Sequence, residues 1–198
     1  DTYPHYPNID PEQIRSLITP RTKAVVVVHY GGVACDMDEI MQIAEDHGLF
    51  VVEDAAHACG ARDQEGQAIG SREGLACFSF YSNKNITTGE GGMIASGNPR
   101  LAERVKRLGR HGMDRSNRER YSGGRAYYQV VEPGIKGNMP DVLAALGRVQ
   151  LRRLERINAS RARLAQRYSA LLQDRVGVPR GSAWGRGCAW HLFPVQVP

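Results

Sequence analysis

The sequence predicts an α/β domain built on a mostly parallel β-sheet with flanking helices. Short, β-branched apolar runs alternate with segments that have the apolar spacing of helices. Asp, Pro and Gly stand where helices would begin and end. The apolar runs are continuous rather than alternating, which is typical of parallel strands covered on both faces.

The first part of the chain should alternate helix and strand. A helix is predicted from the Asp10-Pro11 pair to about residue 18, because Asp caps helices and Pro favours their first position. A buried strand follows over residues 23–30, and a second helix begins after Asp36. Three more strands are predicted at residues 49–53, 76–81 and 93–96.

The second part should be mainly helical. Pro99 and Pro140 each begin a predicted helix, and another helix spans about residues 159–172. Residues 112–137 are polar, aromatic and glycine-rich without a clear period, and a loop of that length commonly has a function. Residues 188–197 are predicted to return to strand.

Composition excludes several classes of protein. Hydrophobic residues make up 41% and charged residues 24% of the 198 residues, which is typical of a globular protein rather than a disordered or fibrous one. The longest apolar runs are too short to span a bilayer, and no basic-then-apolar leader is present. We therefore expect a cytoplasmic protein without a membrane partner. The four cysteines form no CxxC pair, so no metal centre is expected.

Basic residues are concentrated in the second half. The net charge is +5, yet residues 1–60 contain ten acidic and only three basic residues, whereas residues 148–167 contain seven arginines and one glutamate. A solvated helix surface or a dimer interface explains this excess, and an anionic small molecule such as a nucleotide diphosphate is the alternative. Nucleic acid is not expected as a partner, since no RNP, zinc-finger or helix-turn-helix signature occurs.

Two strand ends carry residues that suggest a chemistry. Asp54 ends the second predicted strand, and Lys84 lies in the loop after the third, where ligands bind in open α/β sheets. Hydroxyl residues suited to phosphate, including Ser79, flank the lysine, and the glycines of residues 89–92 allow close backbone approach. Singly, such an Asp caps a helix and such a Lys is solvated. Together they suit pyridoxal phosphate, which needs an amine for its aldehyde and a carboxylate for its pyridine nitrogen.

Five stretches together resemble the DegT/DnrJ/EryC1/StrS family of sugar aminotransferases. They are residues 28–32, 35–38, 53–58, 78–93 and 139–151, and they occur in order along nearly the whole chain. The resemblance implies the central part of a fold-type I, aspartate-aminotransferase-like domain. Residues 1–138 would belong to the large cofactor-binding domain, whose N-terminal portion is missing. Residues 139–198 would form linking helices and the start of a truncated small C-terminal domain.

The resemblance also implies roles for individual residues. Lys84 would be the Schiff-base lysine that moves the proton between cofactor and substrate carbons. Asp54 would pair with the pyridine nitrogen, and Ser79 would hold the phosphate. His57 takes the place of a family His or Gln near the 3-oxygen of the ring.

A homodimer with shared active sites is a further implication. Family members commonly take one phosphate ligand from the partner subunit, in a motif that corresponds here to residues 134–139. Either Lys136 or Asn138 could make this contact, and Asn138 is preferred.

Four more residues are candidates for substrate contact. His29 and Tyr30 end a strand beside the expected site, where packing at the strand end is the alternative role. Glu90 could contact substrate or brace the lysine loop, and His191 belongs to a stretch that also resembles the family.

The expected reaction is the pyridoxal-phosphate-dependent transfer of an amino group from glutamate or glutamine to a keto-sugar nucleotide. A sugar dehydratase, an aminocyclitol-forming enzyme or a regulatory relative in the same scaffold is the alternative. Lys84 argues against the dehydratase, because His replaces the lysine in those relatives.

Overall fold

A four-stranded sheet forms the centre of the computed structural model, which describes residues 2–3, 7–114, 127–179, 185 and 187–197. The strands are β1 Ala24–Val28, β2 Phe50–Asp54, β3 Leu75–Ser79 and β4 Gly92–Ala95, and they lie side by side in that order. β1, β2 and β3 are parallel, and β4 runs antiparallel to β3. The predicted mostly parallel sheet is therefore confirmed.

Five α-helices lie in the described part of the chain. They are α1 Pro11–Leu17, α2 Met37–Asp46, α3 Pro99–Leu108, α4 Asp141–Leu151 and α5 Leu154–Leu172. The predicted start of α1 is confirmed, because the Asp10 carboxylate accepts a hydrogen bond from the backbone N–H of Glu12. α5 begins at Leu154 rather than near residue 159, since only a short turn separates it from α4.

The main core lies between one face of the sheet and helices α1 and α2. Val27 and Val51 project from neighbouring strands into this layer, and both are buried. Ile40 and Ile43 of α2 and Ile14 of α1 cover them. Burial of each such side chain contributes about 1.5–3 kcal/mol to the free energy of unfolding. This layer fixes β1 and β2, whose carboxyl ends carry the candidate site residues.

The opposite face of the sheet is open. Val26 is 62% exposed and Val28 is 44% exposed, whereas Val27 between them is fully buried. Phe50 and Ile94 extend the open face on the neighbouring strands. The expectation that the residue 23–30 strand is covered on both faces is therefore wrong for the described residues. Helices α1 and α2 pack on one side only, and on the other side Val26, Val28 and Phe50 stay exposed.

The C-terminal segment is less regular than predicted. The strand expected over residues 188–197 is a single antiparallel bridge between Gly177 and Gln196. Trp190 has a left-handed backbone, with φ of 47°, and Pro194 offers no N–H to a neighbouring strand. These two residues interrupt the ladder that a longer strand would need.

The long polar segment predicted over residues 112–137 is described only in part. Residues 115–126 of the long polar segment lie outside the described residues. Among the helices that are described, none has the length and apolar character needed to cross a membrane.

All four cysteines are free thiols. Burial raises the pKa of Cys35 and of Cys188 to about 12 and that of Cys59 to about 11. Burial, followed by the charge of Asp54, raises the pKa of Cys77. Within the described ranges, no group of three or more His, Cys, Asp or Glu side chains is placed to hold a metal ion.

Candidate active site

The sheet brings Asp54 and Ser79 to the same edge and the same face. Asp54 is the last residue of β2, and Ser79 is the last residue of β3. Asp54 lies opposite Cys77 in the register, so Ser79, two residues later, points to the same side as both. Val28 is paired with Asp54, which places this side on the open face. A carboxylate and a hydroxyl thus stand at the carboxyl end of parallel strands.

The loop after β3 holds Lys84 half-buried in a closed turn. The backbone N–H of Lys84 donates to the carbonyl of Tyr81 at 3.1 Å. The carbonyl of Phe80 accepts from the N–H of Thr88 at 2.9 Å, and the N–H of Phe80 donates to the carbonyl of Gly91 at 2.8 Å. Gly91 has φ of 152°, and a Cβ there would meet the Thr88 hydroxyl, so this turn requires glycine.

Two imidazole rings lie beside the lysine. The ring centroids of His57 and His191 are 4.4 Å apart with an interplanar angle of 35°. Tyr30 meets His57 edge-on at 5.9 Å. The backbone N–H of Gly31 donates to Nδ1 of His57 at 3.4 Å. The site is therefore bordered by an aromatic wall, which consists of Tyr30, His57 and His191 from three separate segments.

Charge effects connect these groups. Burial, followed by the positive charge of Lys84, lowers the pKa of His57, and the carboxylate of Asp54 opposes this change. Burial, followed by the charges of His57, Lys84 and Arg161, lowers the pKa of His191 to about 4. Both rings are therefore neutral at neutral pH, and His57 lies within electrostatic reach of both Lys84 and Asp54.

His29 lies outside this group. Its Nε2 is 2.9 Å from a carboxylate oxygen of Glu53, and its Nδ1 accepts from the backbone N–H of Cys35 at 3.0 Å. The side chains of His29 and Glu53 are almost completely buried. Because His29 projects to the same side as Val27, it enters the core rather than the open face. The suggestion that His29 contacts substrate is therefore corrected to packing at the strand end.

Glu90 and Asn138 lie at the surface. Glu90 is exposed, and its carbonyl accepts from the Thr88 hydroxyl at 2.8 Å. Asn138 lines an open, mainly apolar depression of about 660 Å³ between β4 and α3. Its side-chain oxygen accepts from Nζ of Lys136 at 2.9 Å, so the two candidates for a partner contact lie together. Among the described residues, neither side chain forms a hydrogen bond or an ion pair with Lys84.

Sequence reasoning missed Asn85, the residue that follows the lysine. Its side chain is buried, with 6% exposed, and its amide nitrogen donates to the carbonyl of Ala189 at 2.7 Å. The same nitrogen donates to Oδ1 of Asn158 at 2.8 Å, and Oδ1 of Asn85 lies 3.2 Å from Nδ1 of His191. A single polar residue in a loop gives no sequence signal of such burial.

The chemistry of this donor set suits pyridoxal phosphate. Asp54 provides a carboxylate for a protonated ring nitrogen, and Lys84 provides a primary amine for an aldehyde. His57 provides an imidazole within electrostatic reach of both, and Ser79 provides a hydroxyl suited to a phosphate oxygen. The charges of Lys84 and Asp54 both act on His57, and Ser79 shares the sheet face of Asp54.

The chain is similar to known proteins over nearly its whole length. The model of the DegT/DnrJ/EryC1/StrS aminotransferase family matches residues 1–198. The spore coat polysaccharide biosynthesis protein SpsC of Bacillus subtilis strain 168 is 47% identical over 193 residues, which are 96% of this chain and 49% of SpsC. The chain therefore spans about half the length of the curated relatives that it matches.

Solved structures of aminotransferases share the fold. DesV of S. venezuelae, solved with a ketimine intermediate, is 34% identical with a TM-score of 0.87, over 99% of this chain and 50% of DesV. DesI, solved in the presence of its TDP-sugar product, is 29% identical with a TM-score of 0.83, over 100% of this chain and 48% of DesI. The expected fold-type I architecture is confirmed for this part of the protein.

Proposed function

Because this chain belongs to the DegT/DnrJ/EryC1/StrS aminotransferase family, we propose that its protein transfers an amino group from glutamate or glutamine to a keto-sugar nucleotide. The observation that carries the proposal is the grouping of Asp54, His57 and Lys84 at the carboxyl end of parallel strands. The name of SpsC supports a sugar pathway, and the TDP-sugar product of DesI supports a nucleotide-linked acceptor.

Pyridoxal phosphate, the cofactor of this family, would supply the electron sink that amino-group transfer requires. The Asp54 carboxylate would keep a proton on the ring nitrogen. Lys84 would bind the aldehyde carbon through its amine and then carry a proton between the reacting carbons. The neutral His57 would donate a hydrogen bond near the ring's 3-oxygen, and Ser79 would donate to a phosphate oxygen.

Substrate would approach along the aromatic wall. Tyr30 and His191 border His57, and both are only half-buried. Glu90 lies at the exposed end of the lysine loop, where it would meet the acceptor rather than the cofactor. His29 has no part in this arrangement, because both ring nitrogens already have partners within the chain.

The first test is a map of the cofactor attachment. The full-length protein that carries this chain would be purified with pyridoxal phosphate, reduced with borohydride and digested for mass spectrometry. We expect the reduced cofactor group on Lys84. A Lys84→Arg variant keeps the charge and should carry no group there. A folded, dimeric protein with an unmodified Lys84 would contradict the proposal.

The second test separates the acceptor classes. The enzyme would be incubated with ¹⁵N-labelled glutamate or glutamine and either keto-sugar nucleotides or cyclic keto-polyols. The masses of the products would then be measured by mass spectrometry. A product with the labelled amine on a nucleotide sugar supports the proposal. Labelled amine found only on a cyclic polyol favours the aminocyclitol alternative. No labelled product, with the cofactor attached to Lys84, contradicts amino transfer to either class.

A further inference from the structure

Asn85 connects the lysine loop to two later parts of the chain. Its amide nitrogen donates at 2.8 Å to Asn158 of α5 and at 2.7 Å to the carbonyl of Ala189 in the C-terminal segment. Its side-chain oxygen lies 3.2 Å from Nδ1 of His191. Asn85 is 6% exposed, so the loop next to Lys84 is anchored by one buried amide.

The orientation of this amide follows from its partners. The carbonyl of Ala189 can only accept, so the Asn85 atom that faces it must be the nitrogen. The side-chain nitrogen of Asn158 donates to the carbonyl of Cys59 at 3.1 Å, which leaves the oxygen of Asn158 to accept from Asn85. The Asn85 oxygen is therefore the atom that faces His191.

An amide oxygen accepts hydrogen bonds and cannot donate them. Nδ1 of His191 must therefore carry the hydrogen that it shares with Asn85, and Nε2 of the neutral ring must be unprotonated. The ring is neutral because burial, followed by the charges of His57, Lys84 and Arg161, lowers its pKa to about 4. Arg161 reaches this segment by donating to the carbonyl of His191 at 3.3 Å.

The neighbouring ring of His57, tilted by 35° against that of His191, has the opposite tautomer. Its Nδ1 accepts from the backbone N–H of Gly31, so its hydrogen lies on Nε2. No described residue hydrogen-bonds to Nε2 of His191. The two adjacent rings therefore differ in polarity, with a donor at Nε2 of His57 and an acceptor at Nε2 of His191.

We propose that Asn85 is a positioning residue that fixes His191 in the Nδ1–H tautomer, so that Nε2 of His191 accepts a hydrogen bond from a hydroxyl or ammonium group of the bound ligand. Asn85 acts through His191 and touches no ligand itself. The ligand contact rests on the proposed function, whereas the His191 tautomer rests on hydrogen bonds within this chain and is measured without a substrate.

The tautomer is measured by NMR of the full-length protein labelled with ¹⁵N-histidine. The His191 signals are assigned by their loss in His191→Gln or, if that variant does not fold, in His191→Phe. At neutral pH we expect a protonated Nδ1 and an unprotonated Nε2 on His191, and the reverse on His57. A His191 ring with its hydrogen on Nε2, or a ring charged at neutral pH, overturns the inference.

Two variants distinguish an Asn85 that fixes the tautomer of His191 from an Asn85 that only stabilises the fold. Asn85→Ala removes the acceptor and should shift His191 toward the Nε2–H form, whereas Asn158→Ser removes another hydrogen bond of the same network and should leave His191 unchanged. An unchanged His191 tautomer in a folded Asn85→Ala protein contradicts the role of Asn85. If Asn85→Ala does not fold, Asn85→Ser, which also withdraws the acceptor from His191, takes its place in the same measurement.

Kinetics of two His191 variants give an independent readout. Gln places an oxygen near the position of Nε2, whereas Asn places its amide near Nδ1. We expect kcat/KM of His191→Asn to be lower than that of His191→Gln by roughly tenfold, which corresponds to one hydrogen bond. Equal or reversed values would contradict an acceptor role for Nε2. The NMR result remains readable even if the proposed sugar transfer is wrong.

Discussion

The imidazole of His191 makes the stability of the site depend on pH. Its pKa falls from 6.5 to about 4 on folding, chiefly because the ring is buried. Below pH 6.5 the unfolded chain thus binds more protons than the folded one, and the free energy of unfolding should decrease as the pH is lowered toward 4. Thermal unfolding of the full-length protein over this range measures the effect.

His191→Phe is the matched variant for this pH dependence. It keeps an aromatic ring against His57 and removes the titrating group, so its unfolding temperature should fall less steeply with acid than that of the wild type. Identical slopes for the two proteins would mean that His191 keeps its ordinary pKa in the folded state.

Individual residues differ in how well the sequence predicts them. The positions of Asp54 and Lys84 were predictable, because Asp54 ends one strand, Lys84 follows another, and the carboxyl ends of parallel strands meet at one edge. His29 was misjudged because its side depends on strand parity, and it projects with Val27 into the core. Asn85 was invisible because its partners Asn158 and His191 are 73 and 106 residues away.

At the scale of elements, one glycine brings the turn after β1 against the C-terminal segment. Gly32 has φ of 97°, and a Cβ there would lie 2.9 Å from the backbone nitrogen of Trp190. Its carbonyl also accepts from the N–H of Ala189 at 2.9 Å. The close approach of these backbones sets where His191, which directly follows Trp190, meets the ring of His57.

Gly32→Ala should therefore destabilise the protein more than Gly48→Ala. Both glycines have left-handed φ values, which cost a non-glycine residue about 1–2 kcal/mol, but a Cβ at Gly48 would meet nothing within 4 Å. The difference between the two variants isolates the contact with the C-terminal segment. Chemical unfolding of both full-length variants measures it, and equal losses of stability would argue against a close contact.

Element positions were predicted better than element bounds. The helix at Asp10 and all four sheet strands appear where the sequence predicted them, because capping and apolar runs are local signals. The strand expected over residues 188–197 did not form, since a strand also needs a partner along its length. The bridge of Gly177 with Gln196 is the part of that pairing that the described residues complete.

One face of the sheet is exposed in the described part of the chain. A continuous valine run is typical of a strand covered twice, yet Val26 is 62% exposed on the open face. This chain spans about half the length of its curated relatives, so we infer that the remaining polypeptide supplies the cover. On this inference, the valine run reflects a contact with polypeptide outside this chain.

Val26→Lys tests this cover in the full-length protein. A lysine placed between two layers should lower the free energy of unfolding by roughly 2 kcal/mol or more, because an apolar contact is lost and a charge is desolvated. Leu17→Lys, at the exposed end of α1, is the control and should have little effect. Wild-type stability of Val26→Lys would mean that the open face meets water in the complete protein.

The proposed dimer can be tested by mixing defective subunits. If Asn138 acts in the partner's site, Lys84→Ala and Asn138→Ala subunits should each be impaired alone. A mixed dimer should regain one intact site, because one subunit supplies Lys84 and the other supplies Asn138. Co-expression with separate tags and purification of the mixed dimer measure this. Lack of recovery argues against sharing through Asn138, and the same experiment with Lys136→Ala tests its neighbour.

The buried thiols have a practical consequence for labelling. Thiolates, not thiols, attack alkylating reagents, and the raised pKa values of Cys35, Cys59 and Cys188 leave almost none of these thiols ionised at neutral pH. The native fold therefore protects these thiols from alkylation, and unfolding removes the protection. The rate at which peptides containing these cysteines acquire the label then reports how fast the domain opens.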